Sequence, residues 1–252
     1  MTHTPVTIRP IRDDGSPSSA STLRKGTRGL RHAYDLMFAH FGHQHWWPGD
    51  TPFEVCVGAI LTQNTSWSSV ERAMAHLKRA GPLEPRRLYA MPEARLARTI
   101  RPAGYFNVKA RRLRAFLRRL IEDFDADLTR MFAGPTAQVR ERLLGITGIG
   151  PETADSMLLY AGGHRRFVVD AYTKRIFLRH DWCGESDSYA ELQRLCESSL
   201  NHRPARSKLD YWQDYHAQLV MVGKHYCRPR DPRCDACPLR PLLPKRRDRK
   251  HS

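Results

Sequence analysis

Apolar residues recur along this chain at helical spacing, and no region alternates as a strand-rich protein would. Between Leu30 and Phe41, the residues Leu30, Tyr34, Met37 and Phe38 share one face, which predicts a helix there. Phe53 to Leu61 is apolar almost all round, the pattern of a helix buried in the middle of a protein. It ends in Thr62-Gln63-Asn64-Thr65. Amides at such an end either face a cleft or bond the nearby backbone. Val70 to Arg79 and Ala94 to Ile100 are further helical stretches, separated by proline-containing turns. Leu113, Phe116, Leu117, Leu120, Ile121 and Phe124 keep an i, i+3, i+4, i+7 pattern, while Lys109, Arg111, Arg112, Arg114, Arg118 and Arg119 fall on the remaining face. That predicts an amphipathic helix with a solvated basic side. Two more helices are expected at about Tyr189–Leu200 and Lys208–His225. No internal repeat is evident, and the fold class is all-α.

Between two helical stretches, Val139 to Leu144 and Asp155 to Tyr160, runs Gly145-Ile146-Thr147-Gly148-Ile149-Gly150-Pro151-Glu152-Thr153-Ala154. Gly148 and Gly150 bracket one apolar residue and permit left-handed backbone and close approach to a ligand. Pro151 suits the first turn of the second helix, where its missing N–H would be unpaired anyway. The pattern is helix, glycine hairpin, helix. Free N–H groups at the start of the second helix attract an anion such as a DNA phosphate. Phe167-Val168-Val169 then forms a short extended segment, and Asp170 is placed to cap the helix holding Tyr172, Ile176, Phe177 and Leu178.

Charge sharpens the picture. Lysine plus arginine number 42 against 26 aspartate plus glutamate, a formal net charge of +16. Such a balance calls for a polyanionic partner. No run of apolar residues is long enough for a membrane span, and the polar stretch Met1 to Arg28 lacks a signal-peptide core. We expect a cytosolic, nucleoid-associated monomer whose residues 1–28 are a loosely attached basic arm. Six cysteines in such a chain suit thiols or metal ligands better than a disulfide framework. Three of them, Cys227, Cys234 and Cys237, are spaced Cys-x6-Cys-x2-Cys near the C-terminus. The adjacent Trp46-Trp47-Pro48 cannot direct both rings into one core from a regular helix, so the pair either packs or forms a stacking wall for a base.

The run Leu143 to Ala154 followed by Val168-Val169-Asp170 resembles the helix–hairpin–helix plus Gly/Pro–Asp motif of the endonuclease III superfamily of DNA glycosylases. The resemblance covers roughly residues 29–240. It takes in Pro52-Phe53-Glu54, Leu61-Thr62-Gln63-Asn64-Thr65, Gly104-Tyr105-Phe106-Asn107-Val108-Lys109-Ala110 and the cysteine cluster. It implies two helical lobes, 29–50 with 165–226 and 51–164, and double-stranded DNA bound across the cleft between them. Residues 227–252 would be a cysteine-cluster loop and basic tail. The implied activity is cleavage of the N-glycosidic bond of a flipped-out damaged base in base-excision repair. Asp170 is then the catalytic carboxylate, Gly148 and Gly150 meet the DNA backbone, and Gln63 or Asn64 fills the hole left by the extruded base. Glu152 stands where the bifunctional members carry their lyase lysine, which points to a monofunctional enzyme. Trp47 and Trp67 match the aromatic pair that sandwiches the base in the 3-methyladenine branch, so alkylated purines are the expected substrates. The other readings are a silent binder of damaged DNA and a glycosylase/lyase for oxidised pyrimidines.

The superfamily's 4Fe–4S cluster uses Cys-x6-Cys-x2-Cys-x5-Cys. Here Leu243 occupies the fourth position. The resemblance still implies a cluster on Cys227, Cys234 and Cys237, with a fourth ligand not identified among Asp231, Asp235, His225, Asp248, Cys183 and Cys196. Zinc or free thiols are the alternatives.

Overall fold

The computed structural model describes residues 19–45, 49–202 and 205–244. Among them the secondary structure is helical throughout: α1 Ser19–Phe41, α2 Pro52–Leu61, α3 Trp67–Arg79, α4 Pro85–Ala90, α5 Glu93–Thr99, α6 Phe106–Phe124, α7 Leu128–Phe132, α8 Thr136–Leu144, α9 Pro151–Tyr160, α10 Ala171–Arg179, α11 Tyr189–Ser199 and α12 Ala205–His225. Short 3-10 turns lie at Arg101–Ala103 and Arg240–Leu242. The all-α expectation holds. Three details differ from it. α1 begins at Ser19, inside the stretch expected to be a loose arm, while residues 1–18 lie outside the described ones. The short helices α4 and α7 carry too few turns to show a period in sequence. Lys109, placed by its spacing on the basic face of α6, is buried.

Two buried clusters organise the helices. One joins α2 through α9 around Ile60, Leu77, Leu96, Phe116, Leu143 and Leu158. The other joins α1, α10, α11 and α12 around Leu30, Met37, Phe167, Phe177, Trp212 and Tyr215. α9 feeds both, with Leu158 in the first and Leu159 and Tyr160 in the second. α2 does the same through Val55 and Ile60, which is why it is apolar on nearly every face. Its start is fixed by Thr51, whose hydroxyl accepts from Glu54 N–H at 3.1 Å, with Pro52 in the first turn.

Asp155 of α9 ties these layers together. It has no exposed surface, yet its carboxylate accepts from Arg140 Nε of α8 at 2.7 Å, from Tyr189 Oη at 2.8 Å and from Gln193 Nε2 of α11 at 2.7 Å. Arg166 approaches it to 3.7 Å. Gln193 also donates to Phe167 O at 2.6 Å, so the extended segment leading to Asp170 hangs from the same network. Removing one partner of such a buried pair leaves charge uncompensated. Asp155→Ala should therefore cost about 3–5 kcal/mol of stability. Tyr189→Phe, which deletes one hydroxyl from the set, should cost about 1 kcal/mol. Urea unfolding of the two variants measures both, and equal losses would contradict the charge-centred account.

Candidate functional site

Asp170 is the N-cap of α10 in extended backbone. Its Oδ1 accepts from Thr173 N–H at 2.7 Å and from Thr173 Oγ1 at 2.8 Å. Its Oδ2 lies 3.6 Å from His216 Nε2 of α12. Burial alone would push the carboxyl up; the His216 contact and charge and the Thr173 bonds outweigh it and hold Asp170 below the usual carboxylate range. The side chain keeps 14% of its surface exposed, enough for a ligand to touch it. An ionised, partly accessible carboxylate thus stands at a helix start.

Glu152, in the first turn of α9, faces the same carboxylate. Burial first and the charge of Asp170 second raise its pKa, against a lowering by His216. Glu152 and Asp170 therefore lie within electrostatic reach of each other across the starts of α9 and α10. Lys109 and Lys174 both donate to backbone carbonyls. Lys109 donates to Leu61 O, Thr65 Oγ1 and Ala103 O at 2.8, 2.6 and 2.7 Å and is 1% exposed. Lys174 Nζ lies 3.4 Å from Asp187 O, and Lys224 belongs to the last turn of α12. Burial and the charge of Arg112 pull Lys109 down to about 8, but all three of its donor directions are engaged.

The hairpin has the expected form. Gly148 takes φ +88° and Gly150 caps α9 in extended backbone, with Pro151 in the first turn of the helix. A Cβ at Gly148 would strike the Arg112 side chain. Gln63 reaches across from the end of α2 and donates to Gly148 O and Thr153 Oγ1, both at 3.0 Å, while Arg112 donates to its carbonyl oxygen. Asn64, beside it, is exposed in left-handed backbone with φ +51°. The two candidate gap-filling amides thus differ: Gln63 braces the hairpin and Asn64 projects.

Lys109 also joins two turns. Its bonds tie the Leu61–Thr65 turn to the 3-10 turn ending at Ala103, and Thr65 Oγ1 itself reaches Ala103 O at 2.5 Å. This places Tyr105, 72% exposed at φ +44°, next to the Asn64 turn. Left-handed backbone is costly for a bulky residue. Sequence reasoning assigned Tyr105 no role; the signal was its place between Gly104 and the start of α6. Trp67 begins α3 and is half-buried against the first cluster. Trp46, Trp47 and Pro48 lie outside the described residues, so the expected aromatic pair is represented by Trp67 alone.

Cys227, Cys234 and Cys237 line one small cavity, together with Arg179, His180, Tyr226, Arg240 and Leu243. Burial, with mutual repulsion, raises the thiols of Cys234 and Cys237, the latter to about 11. Arg179 donates to Cys227 Sγ at 3.2 Å. As they stand, no three His, Cys, Asp or Glu side chains among the described residues could hold a single metal ion. None of Asp231, Asp235, His225, Cys183 and Cys196 lines the cavity, and Asp248 lies outside the described residues. Three thiols on one cavity are the donor set a polynuclear cluster would use, and Leu243, at the position of the superfamily's fourth cysteine, lines the same cavity. No helix among the described residues is long and apolar enough to cross a membrane.

Residues 57–202 match the model of the HhH-GPD superfamily base excision DNA repair protein. A Methanocaldococcus jannaschii protein assigned as a DNA repair glycosylase is 41% identical over 208 residues, 82% of this chain and 92% of its own length. Endonuclease III of Bacillus subtilis is 26% identical over 79% of this chain and 84% of its own. The fold is shared with an endonuclease III solved in a non-covalent DNA complex, at TM-score 0.74 and 24% identity, over 89% of this chain and 99% of that one. It is shared too with the Helicobacter pylori 3-methyladenine DNA glycosylase MagIII bound to 1,N6-ethenoadenine, at TM-score 0.67 and 28% identity, over 79% of this chain and 97% of that one. With the hairpin, the capped aspartate and these matches in agreement, the chain belongs to the HhH-GPD superfamily of base excision DNA repair proteins, as one of its DNA glycosylases.

Proposed function

We propose that this glycosylase is monofunctional and removes alkylated purines, 3-methyladenine among them, from duplex DNA. The observation that carries the reading is the pairing of Asp170 with Glu152: a carboxylate held ionised, and a carboxyl where an amine nucleophile would have to stand. The hairpin N–H groups at the start of α9 receive a DNA phosphate. Asn64 and Tyr105 enter the stack vacated by the flipped nucleotide, and Gln63 holds the hairpin against the turn that carries them. Extrusion exposes the sugar, which the duplex otherwise hides. As the base departs, positive charge develops at C1′, and the ionised Asp170 stabilises it while orienting the attacking water. A methylated purine is already cationic, so it leaves without a general acid. Trp67 offers it a stacking face, a contribution of about 1–3 kcal/mol per base. A cation–π term would add roughly 0.5–2 kcal/mol. MagIII, named for 3-methyladenine and solved with an ethenoadenine, supports the same substrate class.

The cysteine cavity supports a 4Fe–4S cluster held by Cys227, Cys234 and Cys237. Such a cluster would be structural there, cross-linking residues 227–243 and steadying the basic loop between Arg228 and Arg240 against DNA. Protein purified without oxygen should carry iron and sulfide and absorb in the visible, and Cys234→Ser should lose both together with duplex affinity. Colourless, iron-free protein with full affinity would exclude the cluster.

Asp170→Asn should lower single-turnover base release by on the order of a hundred- to ten-thousand-fold while leaving lesion binding intact. An unchanged rate would remove Asp170 from the chemistry. The wild type should leave abasic sites that break only after alkali, with no borohydride-trapped complex; a strong trapped band would reveal a working amine. On alkylated DNA, Trp67→Ala should release methylated bases at least several-fold more slowly. Efficient excision of thymine glycol without release of 3-methyladenine would move the protein to the oxidised-pyrimidine reading.

A further inference from the structure

Five residues share the cysteine cavity with the three thiols: Arg179, His180, Tyr226, Arg240 and Leu243. Each either lacks a donor for iron or has its polar atoms turned to other partners. Arg179 is a cation whose Nη1 donates to Cys227 Sγ at 3.2 Å and to Arg228 O at 2.8 Å. Arg240 is a second cation, 3.4 Å from Asp235 Oδ1. A guanidinium has no lone pair to give a metal. His180 holds one ring nitrogen 2.8 Å from Ile176 O and the other 3.3 Å from Leu239 O, with its ring stacked on Trp182. Tyr226 Oη is 2.9 Å from His40 Nε2, and its ring lies against Phe41 of α1. Leu243 is hydrocarbon. Among the described residues, the donor set that this cavity offers is three thiols and nothing more.

The loop does not need a fourth ligand to keep its shape. Arg175 of α10 donates to Cys227 O at 2.6 Å and to Gly223 O at 3.3 Å, and Arg179 adds a bond to Pro229 O at 3.3 Å. α10 therefore holds the first cysteine from the protein side. Cys237 N–H bonds Cys234 O at 3.1 Å, which keeps the other two thiols in one turn. Cys227 is buried, whereas Cys234, Cys237 and Leu243 are half-buried, so small molecules reach the cavity from their side.

We infer that this chain holds a site-differentiated 4Fe–4S cluster: Cys227, Cys234 and Cys237 each ligate one iron, and the fourth iron takes a small ligand from solvent. The inference rests on the cluster reading given above and not on which base is removed. Where four cysteines are present, a thiolate ties every corner. Here one iron is held by the cluster's sulfides and an exchangeable ligand alone, so it is the iron that leaves on oxidation. A one-electron oxidant such as ferricyanide takes one electron from the doubly positive 4Fe–4S core. The triply positive core then expels iron(II), and a singly positive 3Fe–4S core stays on the three thiolates. One electron from a reductant and one iron(II) restore the starting cluster. The centre is thus a reversible element that responds to oxidants and to iron(II).

The full chain, purified without oxygen, is titrated with ferricyanide and followed by electron paramagnetic resonance and by an iron(II) chelator. Wild type should pass from a silent spectrum to the signal of a 3Fe–4S cluster while releasing one iron(II) per cluster. Added iron(II) with a reductant should reverse both changes. Refilling with isotopically enriched iron(II) should label a single distinct site in the Mössbauer spectrum of the wild type, a readout that needs no variant. Leu243→Cys supplies the missing thiolate and should retain all its iron at the same dose of oxidant. Duplex affinity should survive the conversion, because the three thiolates and the α10 contacts remain. A wild type that holds its iron as firmly as Leu243→Cys overturns the open corner, whichever group closes it. Release of all the iron together, or loss of duplex affinity along with the single iron, overturns it as well. Protein that carries no iron when purified without oxygen overturns the cluster reading and this inference with it.

Discussion

Asp155 has no exposed surface, and every group that bonds its carboxyl comes from a different element of the fold. Arg140 arrives from α8, Arg166 from the segment before Phe167, Tyr189 and Gln193 from α11. The requirement to pair one buried carboxylate therefore sets the hairpin helix against α11, and Gln193 passes that constraint on to Phe167 O. Glu197 holds the same residue from its other side, accepting from Phe167 N–H at 3.0 Å. Three residues further on stands Asp170. Its position relative to α9 is thus inherited from a buried salt-bridge network.

A second buried charge performs the same task for the opposite wall of the site. Lys109 has no carboxylate within reach; two backbone carbonyls and a hydroxyl answer it. Those acceptors belong to two separate turns, so satisfying one ammonium group fixes one turn against the other. The left-handed residues Asn64 and Tyr105 are held out from that joint. Strained backbone of this kind persists only where its surroundings over-determine it. The Gln63 bridge to Gly148 O then links the joint to the hairpin, so the two turns and the hairpin form one braced surface.

At the centre, placement of like and unlike charges separates two neighbouring carboxyls. Asp170 is stabilised as an anion by His216 and Thr173, while Glu152, lacking such donors, has its pKa raised. Environment assigns different behaviour to chemically similar side chains. The cysteine cavity stands apart from that centre: Cys227, Cys234 and Cys237 line it together with the apolar Leu243.

The sequence by itself determined the helical class, the glycine hairpin, the capping aspartate and the three-cysteine spacing, because each is a local pattern. Periodicity marks a buried face, Gly148 marks a left-handed turn, Asp170 marks a helix start, and none needs a distant partner to be legible. Tertiary structure decided what depends on residues far apart in the chain. Lys109 falls on the polar side of α6 by spacing, yet it is buried because α2 and the Arg101–Ala103 turn supply its acceptors. Gln63 and Asn64 are equivalent in sequence and become distinct only when Gly148, Thr153 and Arg112 claim one of them. His216 is one unremarked residue on a long helix until the packing of α12 sets it behind Asp170. A hydrogen bond or a paired charge is a statement about two positions, and a single local pattern records only one of them.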